Sequence, residues 1–569
     1  MKQIREIFAW RNNQKILFVV FIIMITIPNY CLFVTEFTPI LSKICNIIFP
    51  VSAFWFLMTL TKKPGKMLLI LTIFVLLDAV QMVLLYLFGE AVIAVDMYLN
   101  LVTTNVGEAH ELLGNLIPAL VSAAITYGLV FALAVHSVRN KKELSIEFRK
   151  RQRKYSLIGV GVGVVLMGVC YITNADFSVR DDIYPVNVCY NLGVAIDRSG
   201  KTIRYWEKSN NFKFNTVATR DKNEKELYVL VIGETARADN FGIYGYSRNT
   251  TPELQKISDL FAFTDVVSQS NTTHKSVPMI MSAVSAENYD SIYHQKGIIS
   301  AYNEVGYSTA FFSNQQPNHS FIDFFGEEAD QHVFVREKMD AEQNSSDDVL
   351  LKLVKEDLDT NKSNKIFIVL HTYGSHYNYQ DRYPHKNAKF EPDEVTSIRY
   401  KYKKELVNAY DNSIRYTDDF LSRLIAMVDG KQHTSAAVLY VSDHGEDLYD
   451  DDRRMILHAS PVPSYYQLHV PFLIWTSKEY EQKYADKLAA LKMNLHKPVA
   501  SNLVVFHTLL DMSGLQTPYF KAIHSLASMK YVPTTRYYLN DHNMAKNLNK
   551  IGLKEEDEKL FAKHRMRYP

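Results

Sequence analysis

At 569 residues the chain is too long for one ordinary domain, so two or more units are expected. Its net charge of +2 and mean hydropathy of −0.12 are both close to neutral, and both average over a sharp division along the chain. Three short segments hold fifteen basic and three acidic residues, a net of +12, which leaves −10 for the remainder and excludes a nucleic-acid-binding outer domain.

Five apolar stretches come first: Ile16–Val34, Ile44–Leu60, Met67–Phe88, Leu116–Val138 and Leu157–Ile172. A helix needs about 20 apolar residues to cross the hydrocarbon, with about 17 as the working minimum. The pattern therefore predicts a multi-pass domain of five helices over 1–172, the fifth completed by Tyr155 and Ser156. The first stretch is too long and too poorly terminated for a cleaved signal peptide. Lys2, Arg5, Arg11 and Lys15 precede it, Lys62, Lys63 and Lys66 follow the second, and eight basic residues in 139–154 follow the fourth. The alternate loops hold only Lys43, so the amino terminus is predicted inside and everything after the fifth span outside. Asp78 and Gln81 are unusual in a span and are read as bonding between helices. Gly159, Gly161, Gly163 and Gly168 are read as permitting close helix packing in the fifth. Of the four cysteines, Cys31, Cys45 and Cys170 fall in spans, and none lies in the last 380 residues, so the outer part has no disulfide of its own.

Residues 173–226 lack strong periodicity and read as a linker, with a helix around Pro185–Ile196. From Leu227 short β-rich runs recur: "LYVLVIG", "YSTAFFS", "KIFIVLHT", "SAAVLYVSD" and "HVPFLIW". Helical stretches separate several of them, the clearest being Ile398–Val428. Apolar strands alternating with helices predict an α/β domain over 227–569 with a mostly parallel central sheet. In such sheets ligands bind beyond the carboxyl ends of the strands.

Candidate ligands stand at those ends. Glu234 ends the first run, His376 follows "KIFIVLHT", Asp443 and His444 end "SAAVLYVSDHGED", and His458 follows in "RRMILHASP". Carboxylates with a few imidazoles suit Zn²⁺ or Mn²⁺ better than Ca²⁺. With no cysteine nearby, an open catalytic site is favoured over a structural one. The hydroxyl-rich "SQSNTTHKSVPMIMSAVS" precedes a helical run. A hydroxyl there, at a helix N-terminus beside a metal, is placed to attack phosphorus. Local sequence does not separate Thr272 from Thr273, and an N-cap role accounts for either. Arg237 and Asp239 read as steadying the first motif or as pairing with each other on the surface.

The motifs "GETARADNFGIYGYSRNTTP", "GSH" before "DRYP", "AYDNSIRYTDDFL", "SDHGED" and "HVPFLIW", in this order and spacing, resemble the phosphoethanolamine transferases that modify lipopolysaccharide, including the polymyxin-resistance enzymes. These belong to the alkaline phosphatase and sulfatase superfamily. The resemblance implies that Glu234, Asp443, His444 and Thr273 hold a catalytic Zn²⁺, with Thr273 the nucleophile. It implies that His376 and His458 hold phosphate or a second zinc and assist proton transfer. It also likens "NLVTTNVGEAHELL" to a donor-binding loop, with Asn100, Thr104 and Glu108 near the ethanolamine head group. Their spacing of four and four predicts one helical face.

The activity so implied is transfer of phosphoethanolamine from phosphatidylethanolamine to lipid A or a related envelope glycan through phosphothreonine. The enzyme would be a monomer in the inner membrane with its catalytic domain in the periplasm. A phosphoglycerol transferase of the lipoteichoic-acid-synthase type is the alternative. The sequence departs from the resemblance in lacking cysteines beside the nucleophile segment, where His274 and Lys275 replace small residues.

Overall fold

The computed structural model describes residues 9–36, 38–88, 92–103, 106–174, 177–338, 345–460 and 462–566. The chain divides into two compact units, one of Met1–Val102 with Leu112–Arg198 and one of Thr103–Glu111 with Ser199–Pro569.

Among the described residues, four helices of the first unit are long and apolar enough to cross a membrane: Gln14–Thr35, Ile40–Met58, Ile117–Arg139 and Ile146–Thr173. The third expected span is instead a pair, Pro64–Ile70 and Thr72–Tyr86, bent by 72°. Counted as one, the pair brings the total to five, in the order expected. The fifth helix starts at Ile146, well before its apolar run, because Ser145 caps it by accepting from the Phe148 amide. Its first turns carry Arg149, whose guanidinium donates to the carbonyls of Thr59 and Leu60 at the end of Ile40–Met58. Cations there satisfy carbonyls the helix cannot.

Two of the four glycines fit the packing expectation. A Cβ at Gly159 would strike Ser52, and one at Gly163 would meet Phe49 at 2.8 Å. Gly161 and Gly168 face nothing within 4 Å. Asp78 accepts from the Tyr184 hydroxyl at 2.6 Å and Gln81 from the Ile93 amide at 3.0 Å, so each ties its span to a connecting segment.

The expected linker is largely helical, with helices Val186–Ile203 and Tyr205–Ser209, and the division between the units falls inside the first. In the loop likened to a donor site, Asn100 lies in helix Val95–Thr103 and Glu108 in helix Val106–Arg139. Thr104 and the side chains of Asn100 and Glu108 lie outside the described residues.

The second unit is built on a seven-stranded sheet: β1 (Glu226–Gly233), β2 (Leu260–Phe263), β3 (Ser308–Ser313), β4 (Gln331–Phe334), β5 (Lys365–His371), β6 (Ser435–Ser442) and β7 (Phe472–Thr476). The order is β2-β7-β6-β1-β5-β3-β4, with every neighbouring pair parallel except β7 against β6 and β2. The central β1, β5 and β6 are buried along their whole length, as strands covered on both faces must be. The two strands that the pattern misses, β2 and β4, are the short edges. "QHVF" in β4 is half exposed and too polar to register as a buried strand.

Candidate active site

Strand register decides which residues leave the sheet together. Gly233 pairs with Ser442, and Ile232 with His371, so β1, β5 and β6 end at one level. The next residues, Glu234 and Asp443, therefore emerge side by side, with His444 behind them. One donor atom from each lies within 4.8 Å of the others, and all three residues are buried. The β5 extension is pressed onto this cluster. A Cβ at Gly374, whose φ is +50°, would come within 2.7 Å of the Glu234 carbonyl, so that position requires glycine.

Each donor is oriented by a further bond. Glu234 accepts from the hydroxyl of Thr235 at 2.6 Å and from Gln315 Nε2 at 3.1 Å. Asp443 Oδ1 accepts from the amides of Thr235 and His444, at 3.0 and 2.7 Å. His444 Nδ1 donates to the Gly445 carbonyl at 2.9 Å, which turns the lone pair of Nε2 toward the acids. Nε2 then stands 3.2 Å from Asp443 Oδ2, a buried oxygen without a hydrogen bond. A lone pair facing an unsatisfied carboxylate oxygen is repulsive unless a proton or a metal cation lies between them. That is the physical case for a metal in this cluster.

Ionisation points the same way. Burial, then the neighbouring Glu234, pushes the Asp443 carboxyl up. Burial, then His458, holds the His444 imidazole down at about 3, so it is the neutral ligand form at any working pH.

Thr273 is the first residue of helix Thr273–Ile280. Its hydroxyl lies 3.2 Å from Glu234 Oε1 and 3.1 Å from His444 Nε2. Thr272 occupies the N-cap position of the same helix without a side-chain capping bond and is directed elsewhere, with Oγ1 3.1 Å from Ser270 Oγ. The structure thus brings Glu234, Asp443, His444 and Thr273 to one point and leaves Thr272 outside it.

The two remaining histidines border that point. The His458 ring centroid is 4.3 Å from that of His444 and 6.1 Å from that of His376. His376 Nδ1 donates to the Tyr377 carbonyl at 2.7 Å, and His458 Nδ1 lies 3.3 Å from Glu446 Oε2. Leu457 and Ala459, either side of His458, have φ of +65° and +61°, a strained backbone that aims the ring.

Sequence reasoning passed over Gln315 and Glu446. Gln315 sits just past β3 in "SNQQ", a strand-end position like the others, and Glu446 is the acid of "SDHGED". Arg237 and Asp239 do not pair on the surface. Arg237 is buried, forks onto Asp450 with two bonds of 2.8 Å and covers Tyr466, whereas Asp239 binds His469 at 2.8 Å.

A mostly parallel sheet with acids, an imidazole and a helix-borne hydroxyl gathered at its carboxyl edge defines the alkaline phosphatase and sulfatase class. The sulfatase family profile matches residues 226–515, just over half of the chain, and the chain belongs to that family. Among curated proteins it is similar to the Kdo(2)-lipid A phosphoethanolamine 7''-transferase of Escherichia coli K12, at 31% identity over 52% of this chain and 53% of the relative. The chain spans about half the length of the curated relatives it matches. Among solved structures it is similar to the integral membrane lipooligosaccharide phosphoethanolamine transferase A of Neisseria meningitidis. That match has 23% identity and a TM-score of 0.70, over 90% of this chain and 97% of the other. It is also similar to the zinc complex of the periplasmic domain of Escherichia coli EptC, with 24% identity and a TM-score of 0.54, over 60% of this chain and 97% of that domain. At such identities the structures establish the shared fold, membrane helices included for the first.

Proposed function

We propose that the protein transfers phosphoethanolamine from phosphatidylethanolamine to lipid A or a related envelope glycan, by way of phosphothreonine at Thr273. One observation carries this reading: the Thr273 hydroxyl stands within hydrogen-bond reach of both Glu234 and His444, beside the unsatisfied oxygen of Asp443. The names of the relatives supply the transferred group and the acceptor class, and the zinc complex of the EptC domain agrees with the donor set here.

Glu234, Asp443, His444 and Thr273 would hold one tightly bound Zn²⁺, and His376 and His458 would line a phosphate or second-zinc site. A bound zinc lowers the pKa of a ligating hydroxyl and offsets negative charge as it builds on phosphoryl oxygens. Thr273 Oγ1 forms a bond to phosphorus as the bond from phosphorus to the diacylglycerol oxygen breaks, and that oxygen leaves with a proton. The acceptor oxygen then attacks the phosphothreonine and returns the Thr273 hydroxyl. His376 and His458, whose Nδ1 atoms are engaged with Tyr377 and Glu446, would assist the proton transfers.

The same reading makes 1–172 a membrane domain in the inner membrane, 173–226 its connection, and 227–569 a periplasmic catalytic domain acting as a monomer. Asn100, Thr104 and Glu108 would contact the ethanolamine head group. Mass spectrometry of lipid A from cells with and without the gene tests the acceptor. Purified protein offered phosphatidylethanolamine or phosphatidylglycerol tests the donor. An adduct of phosphoethanolamine mass on the Thr273 peptide is expected with the first lipid, and a phosphoglycerol adduct with the second alone would overturn the assignment.

A further inference from the structure

Beyond the residues that match the family profile, the chain continues into a hairpin, Tyr537–Leu539 with Ala545–Asn547, and a helix, Glu555–Lys563. Leu539 of the hairpin joins the main core, with Tyr537 and Ala545 packed against it. Tyr538, Leu548, Phe561 and Met566 form a separate apolar cluster with Val267, Tyr465 and Leu468. Val267 leads into the segment that carries Thr273, and Tyr465 follows the loop that carries His458. The extension is therefore packed against the bases of both loops.

Its polar contacts are aimed at the same two segments. The Leu539 amide donates to the Gln269 carbonyl at 2.7 Å, and Lys275 Nζ donates to the Asn540 carbonyl at 2.9 Å. The Tyr538 hydroxyl donates to Asn271 Oδ1 at 2.7 Å. Asn271 is buried, two residues before Thr273, and its other amide atom faces the histidine loop. Nδ2 donates to the Ser460 carbonyl at 2.8 Å and to Gln467 Oε1 at 2.7 Å, while the Ala459 amide donates to the Asn271 carbonyl at 3.3 Å. Both backbone groups just past His458 are thus held by the residue that stands just before the nucleophile.

An asparagine amide reads its orientation from its partners. The Ser460 carbonyl can only accept and so fixes Nδ2, and Oδ1 is anchored in turn by the hydrogen bond that the Tyr538 hydroxyl donates. Turned over, it would set its oxygen against two acceptors, Ser460 O and Gln467 Oε1, and would lose the bond that the Tyr538 hydroxyl donates. No cysteine lies in the last 380 residues, so hydrogen bonds and packing alone fix this spacing.

We propose that Tyr538 is a positioning residue: by fixing the Asn271 amide it sets the distance between Thr273 and His458. The inference rests on the reading that these two residues serve one phosphorus. Misplacement by about 1 Å costs on the order of 100-fold in such reactions, and loss of one orienting bond is expected to cost less.

The test uses the full-length protein in detergent, with phosphatidylethanolamine as donor. Tyr538→Phe keeps the ring in its cluster and removes only the hydroxyl. It is expected to lower kcat about tenfold with KM within about twofold, and with zinc content unchanged. Asn271→Asp keeps the acceptor and loses both donor bonds, and Tyr538→Phe should add nothing further to it, because the tyrosine acts through the asparagine. Independently of activity, hydrogen exchange of the amides in 268–276 should quicken about fivefold in Tyr538→Phe, the effect of one net hydrogen bond. Wild-type kcat and exchange, additive losses in the double variant, or a loss of kcat that follows a loss of zinc would each overturn the proposal. If the wild-type protein forms no adduct on Thr273 while exchange still quickens, the clamp stands and the functional reading fails.

Discussion

The hydroxyl of Thr273 and Nε2 of His444 lie 3.1 Å apart, although the two residues are 171 positions apart in the chain. The Thr272 hydroxyl, one residue earlier, is turned to Ser270. Thr273→Ala is therefore expected to reduce transfer by at least about 10³-fold with the fold intact, as removal of a nucleophile does. Thr272→Ala should keep most of the activity. Turnover by each variant and intact-mass analysis of trapped enzyme separate the two. Activity lost with Thr272→Ala and retained with Thr273→Ala would reverse the assignment.

The facing lone pairs of His444 and Asp443 predict a dependence of stability on metal. Without a cation, two buried carboxylates and an imidazole lone pair crowd one another. A ligand held by the folded state alone, at 1,000 times its Kd, adds about 4 kcal/mol. Chelation should accordingly lower the thermal midpoint of the catalytic unit and abolish turnover, and zinc should restore both. Glu234→Ala, Asp443→Ala and His444→Ala should each lose the zinc response. An unchanged midpoint and full activity in a metal-free preparation would remove the case for a metal centre.

His376 and His458 border the cluster, and each has its Nδ1 engaged outside it. Their alanine variants are expected to bind one zinc normally by metal analysis while losing about 10²-fold or more in kcat, the range of general acid–base assistance. Glu446→Gln should resemble a weaker His458→Ala, because Glu446 is the partner that orients His458. Loss of the tightly bound zinc in either histidine variant would make that histidine a primary ligand instead.

What the sequence reveals follows from where the physics is local. β1, β5 and β6 are continuous apolar runs because both faces are covered, so their ends, and with them Glu234, Asp443 and His444, are readable in one dimension. β2 and β4 are edges with mixed exposure and carry no such signal. Tertiary contacts supply the rest. Thr272 and Thr273 differ by which one the helix start turns toward the sheet. Arg237 looks like a surface charge until its partner, Asp450, proves to lie 213 residues away. The bend after Ile70 is equally silent, since Leu71 is apolar like its neighbours.

Asp447 supplies a test by pH. It is buried, accepting from Ser464 at 2.7 Å and from Gln467 Nε2 at 2.6 Å. Burial, then the neighbouring Asp450, raises its carboxyl to about 7, against bonds from Ser464 and Gln467 and the charge of Arg237. In the unfolded chain the same carboxyl titrates at about 3.9. Between those values the folded state binds the proton and the unfolded state does not, so the contribution to stability falls as pH rises. It is fully present below about pH 4 and is lost as pH passes through about 7. A shift of about three units corresponds to at most about 4 kcal/mol. Asp447→Asn, which carries no proton to lose, should flatten the decline of the catalytic unit's thermal midpoint between about pH 5 and pH 8. The variant should differ from wild type little at pH 5 and most at pH 8. Parallel midpoint curves for the two proteins across that range would show that Asp447 is already ionised in the fold.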